Sequence, residues 1–318
     1  MTERAGAARR VLVTGATGFV GAAIVRTLLR RGHEVVGLVR DLRRGRALEE
    51  LGARLAVGDM RAPDTYRPLV AGVDAVVMAA QYAVGGRLTR RTFARVGYAD
   101  GVMTGTLAAT CLDHGTRLVY TSGYFTYGDH GADWITEATP FAPSPLGVAH
   151  ARAVVRLRAL HRDAGLDAVI LAPGFVYGPG GLFKQSFTDQ LAKGRLRVIG
   201  TGRNYWSPVH VDDLAEAFAL AVERAAPGTA YNVVDDTPLP LRALVDQLTD
   251  ALGHERMGTV PPWLMKPLLG GPLVDALVTS ARVRNDKAKA ELGWAPRHPS
   301  FGEGVPGVLR DMGLLPAG

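Results

Sequence analysis

Three glycines at three-residue spacing, Gly15, Gly18 and Gly21, follow the apolar run Val11–Val13 and precede a helical pattern. Val20, Ile24, Val25, Leu28 and Leu29 give that helix one apolar face, and Gly32 ends it. A strand entering a helix through bare glycine backbone lets N–H groups approach a phosphate, with the positive helix end behind them. A second strand, Glu34 to Arg40, completes a βαβ unit of the dinucleotide-binding type. At its end stand Val39-Arg40-Asp41, with Arg43 and Arg44 close behind. An acidic side chain there would take the ribose 2′-hydroxyl, whereas arginine pairs with a 2′-phosphate, so Arg40 and Arg44 favour NADPH/NADP+ over NAD. The alternative is a solvated charge run, for which Asp41 leaves room.

The elements that must position these residues alternate along the chain. Arg54–Val57 reads as a third strand closed by Gly58-Asp59, Asp74–Ala80 as a fourth, Arg117–Ser122 as a fifth and Asp167–Pro173 as a sixth. Helices are predicted over Arg91–His114 and Val148–Ala164. That alternation predicts an α/β, doubly wound parallel Rossmann sheet with ligands at the carboxyl ends of its strands. Gly15–Gly21, Asp59, Ala79–Gln81, Ser122 and Pro173–Gly178 then share one edge. The rest reads as a smaller lid: a helix over Phe183–Gly194, a strand Arg197–Ile199, a helix Asp213–Glu223 with Asp212 as its cap, a strand Tyr231–Val234 and a helix Leu241–Leu252. The expected division is 1–178 with 209–235 for the nucleotide, and 179–208 with 236–318 for a mostly C-terminal substrate lid. Val260–Val278 is strongly apolar, but its prolines, glycines, Lys266 and Asp275 cannot span a bilayer. It reads as a packed lid segment, with membrane-surface docking as the alternative. A greasy lid implies a hydrophobic small-molecule substrate.

Bulk properties set bounds. The 318 residues suffice for one large α/β domain and a smaller one, and 47% hydrophobic with 21% charged residues describes an ordinary globular chain. A net charge of +7 raises nucleic acid, yet the basic residues are scattered, with clusters at Arg9-Arg10, Arg40–Arg46 and Arg87–Arg95 and no recognition motif beside them. The expected partners therefore include no nucleic acid and no membrane. Met1–Arg10 lacks the apolar core of a signal peptide, and the single Cys111 excludes an internal disulfide, so a cytoplasmic setting is expected. The eight histidines show no metal-ligand spacing, and no metal is expected.

Six stretches together resemble the extended short-chain dehydrogenase/reductases, in the branch of nucleotide-sugar epimerases and dihydroflavonol reductases. They are Thr14–Gly21, Gly58-Asp59, Thr121–Gly128, Pro173–Pro179, Val209–Ala215 and Glu291–Pro296. The resemblance implies that Gly15, Thr17, Gly18, Phe19, Val20 and Gly21 hold the pyrophosphate. It implies Asp59 and Met60 by the adenine, Ala79, Ala80 and Gln81 along the ribose, Thr121 at the cofactor, and Pro173, Gly174, Phe175 and Val176 near the nicotinamide. It also implies a monomer or a homodimer, formed in the latter case through the helices at Arg91–His114 and Val148–Ala164.

The family's proton-handling residues are missing. Its members place Ser or Thr four residues before the tyrosine of a Tyr-Gly pair, but counting back from Tyr127 lands on Gly123. After the loop Pro140–Pro145, where Tyr-x-x-x-Lys is expected, stands Leu146-Gly-Val-Ala-His150. General acid help is worth roughly 3–5 kcal/mol, while alignment of the reacting carbons can be worth roughly 7–11 kcal/mol, so hydride transfer survives the loss. The expected activity is reduction of a flat polycyclic or aromatic, polyketide-like ketone whose own phenol stabilises the oxyanion, as in atypical antibiotic-tailoring ketoreductases. Ser122, Tyr124 and His150 are the replacement donors to consider, with His150 also placed to contact the nicotinamide ribose. Tyr82, Tyr124, Tyr177 and Trp206 are candidate substrate walls, core packing being the alternative. Two other readings are a non-catalytic NADP(H)-binding redox sensor and an epimerase or dehydratase. The latter needs repeated proton handling and suffers most from the missing residues.

Overall fold

A computed structural model describes residues 7–82 and 90–316. Arg87 of the Arg87–Arg95 cluster and the first six residues of Met1–Arg10 lie outside the described residues. Seven parallel strands form the central sheet: β1 (Arg10–Thr14), β2 (Glu34–Val39), β3 (Arg54–Val57), β4 (Ala75–Met78), β5 (Arg117–Thr121), β6 (Ala168–Pro173) and β7 (Ala230–Val233). Their order is β7-β6-β5-β4-β1-β2-β3, so the chain reverses direction across the sheet between β1 and β4. Alternation explains the two cores. Val11, Val13, Val77, Val119, Val169 and Leu171 pack on one face with α1 (Phe19–Arg30) and the helix Val211–Arg224. Leu12, Val76, Met78, Leu118, Tyr120 and Ile170 pack on the other, against α3 (Arg90–His114) and α4 (Val148–Ala164). Between β2 and β3 runs α2 (Leu42–Glu50).

Several expected elements shift for local reasons. The fourth strand stops at Met78, because the chain turns toward the glycine loop and Ala80 N–H donates to Thr14 Oγ1 at 3.2 Å. The helix expected at Phe183–Gly194 runs from Gly181 to Ala192 and carries a π turn at Lys184–Thr188. Residues Phe175–Tyr177 and Pro208–His210, unread as strands, pair in parallel beyond the end of β6. The cap of α5 (Val211–Arg224) is His210, whose Nδ1 accepts from Asp212 N–H at 3.2 Å; Asp212 is in the first turn rather than the cap.

The lid segment is packed only in its second half, where Pro272 and Val274 are buried. It forms α6 (Pro262–Leu269) and α7 (Gly271–Leu277), and no residue of α6 is buried. Its turns of helix are too short, and too interrupted by Pro267 and Gly270, to wrap the adjoining core. Among the described residues no helix is long and apolar enough to cross a membrane.

Candidate active site

The glycine turn leaves no space for a side chain at Gly15 or Gly21. Gly15 has φ +66°, and a Cβ there would lie 2.8 Å from the backbone N and Cα of Ala80. A Cβ on Gly21 would fall on the Gly15 carbonyl oxygen, and Gly18 N–H donates to that oxygen at 2.9 Å. Gly18 caps α1 without any side-chain bond, and the first turn holds no acidic residue. The positive helix end is thus bare and free of a competing carboxylate. Phe19 closes the turn from the lid side, its ring filling the space beside Gly178, Gly180 and Gly181.

Asp41, which left cofactor choice open, is already engaged: it caps α2 through Arg43 N–H at 3.0 Å and meets Arg43 Nε at 3.3 Å. Arg40 and Arg44 are exposed beside it. Asp59 follows β3 in a clamp with Arg61, whose Nη2 reaches its carboxylate at 2.6 Å. That hydrogen bond holds Asp59 down at about 2, so it is ionised at any physiological pH. Met60 is buried, and Ala79 and Ala80 sit against the glycine turn with Gln81 exposed. Tyr82 N–H donates to Asp100 Oδ1 of α3 at 2.8 Å, which anchors the chain leaving β4.

At the proton-handling corner, Thr121 is spent on the Met78 carbonyl at 2.7 Å, and Ser122 is 3% exposed beneath the surface. A Cβ on Gly147 would fall on the Phe125 carbonyl, so the start of α4 is pressed against the turn Tyr124–Thr126. This brings His150 edge-on to Phe125, with ring centroids 5.3 Å apart. His150 Nδ1 lies 3.0 Å from the hydroxyl of Tyr120 on β5. Burial lowers His150 to about 4 and raises both Tyr120 and Tyr124, so all three are neutral at neutral pH. Sequence reasoning missed Tyr120. The signal available was its phase with Leu118, which turns it toward α4, but nothing local links it to a histidine 30 residues on.

The loop after β6 is tightly held: a Cβ on Gly174 would land on the Ser207 carbonyl oxygen, to which Phe175 N–H donates at 2.8 Å. Phe175 packs on Trp206 with centroids 4.8 Å apart, and Val176 joins the parallel pair with Val209. Trp206 is 4% exposed, and its Nε1 is buried without a partner among the described residues. Tyr177 is fully buried in the lid core, its hydroxyl 3.4 Å from the Ser300 carbonyl, so as placed it is core rather than a wall. Tyr82 and Tyr124 remain partly exposed. One cluster escaped the spacing argument: His210, Asp213 and His298 have ligand atoms within 4.8 Å of one another. Asp213 already accepts from Arg297 N–H, His298 N–H and His298 Nδ1 at 2.9–3.0 Å, which fixes the C-terminal segment to α5. Cys111 lies in the core, where burial pushes its thiol up to about 12 and leaves it inert.

This arrangement has relatives. Residues 11–234 match the NAD dependent epimerase/dehydratase family. The chain belongs to that family. It is 33% identical over 306 residues to a 3-diazoavenalumate denitrifying reductase from Streptomyces sp, covering 93% of this chain and 99% of the relative. It is 35% identical over 266 residues to the 2-alkyl-3-oxoalkanoate reductase of Stenotrophomonas maltophilia, covering 78% of this chain and 77% of the relative. The crystal structure of DesIV, a dTDP-glucose 4,6-dehydratase from Streptomyces venezuelae with NAD and TYD bound, superposes with a TM-score of 0.78 at 27% identity. That match covers 95% of this chain and 96% of DesIV. The parallel seven-stranded sheet is therefore the family's Rossmann-like fold, and its members include reductases and proteins that hold nicotinamide cofactors.

Proposed function

We propose that this protein is an NADPH-dependent ketoreductase for an apolar, polycyclic or aromatic ketone, working without the family's tyrosine and lysine. One observation carries the reading: an intact glycine turn faces a corner where Leu146 and a neutral, half-buried His150 stand in the Tyr and Lys positions. When bound, NADPH would supply the hydride that turns the carbonyl carbon into an alcohol carbon, the oxygen taking a proton from the substrate's own phenol or from water. The turn Gly15–Gly21 fits the pyrophosphate, because Gly15 and Gly21 are closed to a Cβ and the first turn of α1 carries no acidic side chain. Arg40 and Arg44 take the 2′-phosphate while Asp41 is withdrawn into its capping role. Asp59 and Met60 border the adenine, Ala79–Gln81 the ribose, and Pro173–Val176 the nicotinamide. His150, with Tyr120 donating to its Nδ1, presents Nε2–H to the nicotinamide ribose as a neutral substitute for the lysine. Tyr82 and Tyr124, both partly exposed, offer flat walls, whereas Trp206 belongs to the lid core.

The reductase relatives support hydride chemistry, and one of them, by its name, acts on an alkylated oxo-acid. The lid, residues 179–208 and 236–318, closes the substrate side. Residues 1–178 with 209–235 carry the nucleotide. Tyr98, Val102 and Val155, exposed on α3 and α4, favour a homodimer over a monomer in the cytoplasm. The test is purified protein with NADPH and a panel of hydroxylated aromatic ketones, followed by loss of the reduced-nicotinamide absorbance. Turnover supports the ketoreductase. Tight NADPH binding with no turnover on any ketone points to the redox sensor instead.

A further inference from the structure

Helix α6 is amphipathic in the wrong sense for a globular protein. Trp263, Leu264 and Leu268 are 71%, 52% and 70% exposed. At about 100° per residue, Trp263, Pro267, Leu264 and Leu268 fall within an arc of roughly 140°. Met265 and Leu269 point back toward the body and are only partly exposed, and Lys266 on the flank is held by Asp275 at 2.9 Å. A soluble helix puts its apolar arc against the core, whereas this one offers it to the outside.

The charge beside that arc says what covers it. Thr259 and Val260, which lead into α6, pair with Val198 and Ile199. The neighbouring segment carries Lys193, Arg195, Arg197 and Arg203, all exposed, with no acidic residue between Gln190 and Asn204. A second copy of the chain would bring the same cations against them. An anionic lipid surface matches both features: a short helix lying in the interface with tryptophan and leucine facing down, and basic residues against headgroup phosphates. We propose that α6 docks this protein on anionic membrane surfaces through Trp263, Leu264 and Leu268, with Lys193, Arg195, Arg197 and Arg203 on the headgroups. This holds whether or not the chain is a reductase. It would also set the lid at the bilayer, since Asn204 holds the carbonyls of Leu277 and Thr279 at 3.1 and 3.2 Å and Ser207 holds Ala281 at 2.9 Å, next to the Gly174–Phe175 loop.

The test floats the full chain with vesicles of phosphatidylcholine alone or mixed with phosphatidylglycerol. The expected result is flotation with the mixed vesicles, roughly tenfold above the neutral ones, and weakened by salt. Trp263→Ser combined with Leu268→Ser should lower it roughly tenfold with unchanged melting temperature, since both side chains are exposed. Arg195→Glu and Arg197→Glu should each lower it about fivefold or more. Flotation with neither vesicle overturns the proposal, as does flotation indifferent to the Trp263 and Leu268 changes. A dimer in solution that Trp263→Ser dissociates, without vesicle binding, would show that a second copy covers the face.

Discussion

The glycine turn and the start of α4 are built on opposite terms. At the glycine turn the residues are fixed by space: a Cβ on Gly15 or Gly21 would run into backbone atoms. At the start of α4 the backbone is equally tight, with Gly147 against Phe125, yet the side chains it presents are Leu146 and His150 rather than an acid and a cation. On the proposed function, the scaffold that holds a nicotinamide against a substrate is retained while the proton-handling groups are replaced. That reading makes binding geometry and acid–base help separable contributions in this fold, the first kept without the second.

The sharpest way to break the contrast is at the turn. Gly15→Ala combines a left-handed φ with a Cβ 2.8 Å from the Ala80 backbone, a cost of about 1–3 kcal/mol for the conformation alone. NADPH affinity should fall at least about a hundredfold, measured by calorimetry alongside a melting curve that confirms folding. Next in size, Arg40→Ala should weaken NADPH by roughly ten- to a hundredfold and leave NADH nearly unchanged, because only the former carries the phosphate. Equal losses would remove the case for NADPH. At the other end, Tyr120→Phe should free the His150 ring and raise KM for the cofactor about threefold to tenfold, with little change in kcat.

The smallest effect concerns stability rather than turnover. Asp235 is 1% exposed, and burial with Asp236, Asp213 and Glu303 nearby lifts it to about 8. An acid whose folded-state pKa is raised stabilises the fold below its unfolded value near 4 and loses that contribution as pH rises toward 8. Asp235→Asn should therefore lose less melting temperature than the wild type between pH 5 and pH 8 (about the window between those two values). A parallel decline in both would show that Asp235 is not the group responsible.

The nucleotide half was legible because its signals are local: a strand, three glycines and a helix lie within 21 residues of sequence, Arg10 to Arg30. The two-faced core followed from alternation along the strands. The proton-handling corner was legible as an absence, from Leu146 and His150. The long-range contacts were not, because the Tyr120–His150 pair joins a strand to a helix, and the His210–Asp213–His298 cluster joins segments 85 residues apart. The lid misled for a different reason. An apolar sequence specifies that a helix seeks an apolar neighbour, but not whether the same chain provides it, and α6 points away. Tyr177 and Trp206 show the same limit, since aromatic walls and aromatic cores have one composition.

On the proposed function, hydride transfer here proceeds without a dedicated protein acid. The most direct measurement is kcat with a saturating hydroxylated aromatic ketone for Ser122→Ala, Tyr124→Phe and His150→Ala. Each variant should keep kcat within about tenfold of the wild type. A loss of about a thousandfold or more in any one of them, with NADPH affinity intact, would identify that residue as the proton donor and contradict the claim.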